Sequence, residues 1–95
     1  MEEKRLDRYL ISVGKECFVK YFELFSDFNM LNKEIADIIE IENGYTRKSC
    51  NSRTGHARMI IREGGAKDAL DLISSSNRLS SEVTSNAKDL LRELI

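Results

Sequence analysis

Residues 46–62 hold five of the chain's 15 lysines and arginines (Arg47, Lys48, Arg53, Arg58, Arg62) and its one histidine, His56, with no acid among them. The rest of the chain carries ten Lys+Arg against 16 Asp+Glu, a net of −6. A formal charge of −1 and an isoelectric point near 5.8 therefore hide a segregated distribution. Clustered cations without carboxylates attract polyanions, and charge asymmetry of this kind bears on partners rather than on fold.

Helical spacing sorts this segment. On a wheel advancing about 100° per residue from Cys50, the residues Thr54, Ala57 and Ile61 fall within about 40° of it. They form one apolar stripe. Arg47, Lys48, Asn51, Ser52, Gly55, Arg58, Met59 and Arg62 lie on the arc between roughly 60° and 200°. Four of these eight are cations, while Asn51 and Ser52 can hydrogen-bond base edges or phosphates. Arg47 and Lys48 fall in the first turn, where cations oppose the helix dipole but strengthen an anion site. Gly55, near the middle of the arc, costs a helix about 1 kcal/mol against alanine, which makes sense where another backbone approaches. Arg53 sits at the core edge and is expected to snorkel. The expected nucleic-acid contacts are Arg47, Lys48, Asn51, Ser52, Arg58 and Arg62.

Other chemistries find no such pattern. His56 falls on the flank of the same wheel, with no cysteine or carboxylate cluster to complete a zinc site and no nucleophile at a fixed offset. Gly64-Gly65 lacks the lysine and hydroxyl of a phosphate loop and reads as a helix end. Cys17 and Cys50 form no CxxC pair and read as packed, reduced thiols. The expectation is a non-enzyme with no catalytic residue, cofactor, metal or small-molecule substrate. Glu34, Asp37, Glu40 and Glu42 lie just upstream and offer an alternative: internal ion pairs with Arg47, Arg53 or Arg58.

The elements that position these residues are helical. Ninety-five residues without a proline, 41% hydrophobic and 33% charged, suit one globular helical domain over 1–95. Leu6, Leu10 and Val13 mark a first helix, which Gly14 either interrupts or continues. From about 15 to 26, Cys17, Tyr21 and Leu24 run beside Phe18, Phe22 and Phe25, so this helix is apolar over a wide arc and central to the core. A turn at Asp27-Phe28-Asn29 leads to Asn32, read as an N-cap, and to a short helix over 33–40 with Ile35, Ile38 and Ile39 buried. Asn43-Gly44 is a turn, and Thr46 caps the basic helix. Ala66, Ala69, Leu70 and Ile73 face inward from the next helix, and Ser80 or Ser81 caps the last. The fold class is all-α: a compact bundle of about five helices. No apolar run is long enough to cross a bilayer and the charged N-terminus is unlike a secretory signal, so the expected location is cytoplasmic.

The stretch Asn32-Lys33-Glu34-Ile35-Ala36-Asp37-Ile38-Ile39 resembles the first helix of helix-turn-helix units, in which Ala36 would pack against a recognition helix. The connection Glu40–Tyr45 reads as longer and more acidic than the usual turn. That resemblance implies a helix-turn-helix-like pair near residues 32–63, with residues 47–62 in the major groove of duplex DNA, as in a transcriptional regulator. The alternative is a small protein-interaction or regulatory module without nucleic-acid binding. In either case Val83, Ala87, Leu90 and Leu94 could form a homodimer seam.

Overall fold

The aromatic run over residues 18–25 lies at the centre of the fold. In the computed structural model, which describes residues 1–94, seven helices account for the regular structure and no strand occurs among the described residues. They are α1 (Glu3–Val13), α2 (Lys15–Lys20), α3 (Phe22–Ser26), α4 (Asn32–Asn43), α5 (Arg47–Arg62), α6 (Ala66–Ser74) and α7 (Ser81–Glu93). The all-α expectation holds, and the two extra helices come from breaks at Gly14 and Tyr21.

Gly14 does interrupt the chain. Its φ of 86° is a conformation that side chains rarely adopt, and a Cβ there would lie 3.1 Å from Nη1 of Arg53. Tyr21 is a milder kink. Its N–H still donates to Cys17 O and its carbonyl still accepts from Phe25 N–H, so the ladder spans the break. The Tyr21 hydroxyl donates to Glu42 Oε1 at 2.6 Å and accepts from Asn43 Nδ2 at 2.8 Å, anchoring the kink to the end of α4. Phe18 and Phe25 are fully buried with Leu10, Val13, Ile35, Ile39, Ile60, Leu70 and Ile73. The rings of Phe18 and Phe22 meet edge to face, 5.5 Å between centroids.

Helix α4 differs from expectation at both ends. Leu31, not Asn32, is the N-cap residue, and Glu34 Oε1 reaches back to accept from the Leu31 N–H at 2.8 Å. The helix then runs on to Asn43 and stops at left-handed Gly44, φ 71°. The acidic residues Glu40 and Glu42 thus belong to α4, and only Gly44, Tyr45 and Thr46 separate it from α5. The turn is short, contrary to the longer one expected. Thr46 Oγ1 accepts from Ser49 N–H at 3.1 Å, the expected cap. At the far end of α5, Gly65 N–H donates to Ile60 O at 2.8 Å and closes the helix.

Helix α5 packs against α1, α3 and α4 and, at its end, against α6, while α6 and α7 pair and α7 also meets α2. Ser80 caps α7 through Val83 N–H. Ala87 is fully buried, and Val83 and Leu90 pack partly against the core. Of the stripe offered as a dimer seam, three residues are therefore engaged within the chain and Leu94 remains half exposed. No described helix is long and apolar enough to cross a membrane.

Candidate nucleic-acid interface

Because α5 touches α1, α3, α4 and α6, its buried arc is wider than its apolar stripe. Residues at one border of the expected basic face are drawn into the fold. Arg58, about 80° from Cys50 on the wheel, is one of them.

Only 3% of Arg58 is exposed. Its Nε donates to Phe25 O at 3.1 Å, Nη2 to Asp27 O at 2.6 Å and Nη1 to Asn32 Oδ1 at 2.6 Å. The Phe28 ring lies against the guanidinium, its centroid 4.6 Å away. Burial, followed by the neighbouring charge of Arg62, pushes the Arg58 pKa below the ordinary arginine value. The expected DNA contact at Arg58 is thus corrected. The side chain bolts α5 to the end of α3 and the start of α4, where its donors satisfy carbonyls that no helix bond reaches.

Arg47, about 60° from Cys50 on the same border but three turns earlier, meets α4. Its Nη1 donates to Asp37 Oδ1 at 2.5 Å and to Glu40 Oε1 at 3.1 Å. These two partners, Asp37 above all, raise its pKa. The internal pairing that the upstream acids offered is realised here, and Arg47 is not a free cation. Arg53 snorkels as expected: Nε donates to Ser49 Oγ at 2.9 Å, Nη1 to Val13 O at 2.8 Å, and the guanidinium sits 4.0 Å from the Tyr45 centroid. His56 stacks on Tyr9, 4.8 Å between centroids, and its Nδ1 shares a 2.6 Å hydrogen bond with Ser12 Oγ.

What stays outside is a narrower and more regular face. Lys48, Asn51, Ser52, Met59 and Arg62 are exposed, and half-exposed Gly55 lies among them. Together they occupy roughly 100° to 200° of the wheel. Lys48 and Arg62 stand at its two ends, about 21 Å apart along the axis. Neither has a carboxylate within ion-pairing distance among the described residues. Arg62 rests beside Phe28, 5.0 Å from the ring centroid. Nothing in the described fold comes within 4 Å of the position a Gly55 Cβ would take.

Helix α1 borders this face. It runs alongside α5 with Tyr9 on His56, Arg5 Nη1 on Glu63 Oε1 at 2.6 Å, and Val13 O on Arg53. Exposed Arg8, its guanidinium 5.7 Å from the Tyr9 centroid, adds a cation to the rim. Sequence spacing within α5 could not find Arg8, because its place depends on how α1 lies against α5.

Cys17 and Cys50 are free and buried, and burial raises both thiol pKa values, which keeps them protonated. No three His, Cys, Asp or Glu side chains among the described residues converge to hold a metal ion. Comparison with known proteins adds no relative: no family model matches the sequence, and neither a curated protein nor a solved structure matches it.

Proposed function

We propose that this protein binds duplex nucleic acid through the outer face of α5, with Lys48 and Arg62 on phosphates and Asn51 and Ser52 at base edges or backbone. Gly55 carries this reading. It sits mid-helix on the open face, and no part of the described fold needs the space left by its missing side chain. A glycine there weakens the helix by about 1 kcal/mol, so its use fits a surface that something else approaches closely. The short Gly44-Tyr45-Thr46 connection supports the same reading, since it joins α4 directly to α5 and Lys48, Asn51 and Ser52 are exposed in the N-terminal turns of α5.

Three free cations, Arg8, Lys48 and Arg62, set the scale. With one phosphate each, log K against log salt should fall with a slope of about −3. The test is a fluorescence-anisotropy titration of labelled duplex DNA at several salt concentrations. Lys48→Ala and Arg62→Ala should each flatten the slope by about 0.9. Asn51→Ala should weaken binding without changing the slope. Absence of binding at low salt ends the proposal.

A further inference from the structure

A well-defined concavity lies away from α5. It is a groove of about 660 Å³ between the α2–α3 pair and α7. Val19 and Leu24 on one wall and Val83 and Leu90 on the other give it an apolar floor. Its α7 wall runs from Ser80 to Glu93, about 20 Å, which matches some 13 residues of helix. The opposite wall presents residues at spacings of three and four across the kink at Tyr21, a continuous helical face.

The rim has one sign. Glu16, Glu23, Glu82, Asp89 and Glu93 border the groove, against Lys20 alone. Asp89 pairs with Arg92, but the other four carboxylates have no ion-pair partner among the described residues. These acids are strung along the groove rather than gathered at a point, and no metal-binding cluster forms among the described residues. An elongated apolar floor between rows of uncompensated carboxylates is complementary to an amphipathic helix with a leucine-type stripe and basic flanks.

We propose that the α2–α7 groove docks a basic amphipathic helix of a partner protein. The helix lies along α7, with its apolar stripe on Val83 and Leu90 and its lysines or arginines against Glu16, Glu23, Glu82 and Glu93. This surface is separate from α5, so the two sites can be tested apart.

The probe is a labelled synthetic 14-residue peptide with leucines at helical spacing and Lys or Arg elsewhere, titrated into the full chain. Saturable binding is expected, weakened at least tenfold in Glu23→Lys/Glu82→Lys and abolished when the peptide's basic residues are replaced by Glu. Amide NMR shifts on the wild-type chain should move at Val19, Glu23, Val83 and Leu90 and stay fixed at Asn51 and Gly55. This mapping decides the matter even if the charge-reversed variant misfolds. Overturning results are no saturable binding, binding unaffected by the charge reversal, shifts confined to α5, or sedimentation showing that a second copy of the chain closes the groove. Duplex DNA binding that persists beside any of these failures leaves the α5 reading intact.

Discussion

Nη1 of Arg58 donates to Oδ1 of Asn32 across 2.6 Å, joining the middle of α5 to the first residue of α4. Both residues had other expected tasks, Arg58 on phosphate and Asn32 as a helix cap. The same guanidinium also satisfies the carbonyls of Phe25 and Asp27. Arg58→Ala therefore leaves the buried Phe25 carbonyl without this donor, and stability should fall by about 1–3 kcal/mol. Arg58→Lys, with a compact ammonium in place of the planar fork, should fall between the two. Urea denaturation followed by circular dichroism reads the difference; an Arg58→Ala protein as stable as the parent contradicts the bolt.

Arg47 is held by Asp37 and Glu40. Replacing both acids, Asp37→Asn with Glu40→Gln, releases its guanidinium next to the N-terminus of α5. If α5 meets nucleic acid, affinity should rise and the salt slope steepen by about 0.9, one extra phosphate contact. The same anisotropy titration measures it, and an unchanged slope shows that the first turn of α5 does not face phosphate.

Gly55→Ala separates folding from binding. With nothing in the described fold within 4 Å of the new Cβ, the helix should gain about 1 kcal/mol, seen as a raised unfolding midpoint. Binding to duplex DNA should weaken if a strand approaches this backbone. A stabilised variant that binds as before removes the observation on which the proposed function rests.

Alkaline pH should destabilise the fold in a defined window. Burial raises the Cys17 and Cys50 thiols above their ordinary 9.0, so the folded chain holds protons that the unfolded chain releases. Their contribution is fully present below pH 9 and is lost as pH rises through it. The slope is about 1.4 kcal/mol per pH unit for each thiol, until the folded thiol itself ionises. Tyr21, raised from 10.0 by burial and its bond to Glu42, adds the same trend at higher pH. Cys50→Ala should lower stability at neutral pH through the lost packing and yet show a shallower alkaline decline. Equal slopes in the parent and Cys50→Ala speak against the thiol as a source.

Much of the local structure was legible because its causes are local. Thr46 and Ser80 cap α5 and α7, Gly44 stops α4, and the periodic apolar residues of α1, α6 and α7 face the core. The breaks were less legible. The kink at Tyr21 coincides with an anchor to Glu42 and Asn43, residues 21 and 22 positions away, which no short window contains.

The basic face shows the same division. Composition and 3.6-residue spacing alone determined that an all-helical chain would carry a cation-rich, acid-free helix over residues 47–62. Which of its cations remain outside was a tertiary decision. Four neighbouring helices widen the buried arc of α5, absorbing Arg58 at the α3–α4 junction and pairing Arg47 with α4, and only Lys48, Asn51, Ser52, Gly55, Met59 and Arg62 are left on the open side. A helical wheel records the direction of each side chain but not how many neighbours surround the cylinder, and it is their number that sets the width of the face left to solvent.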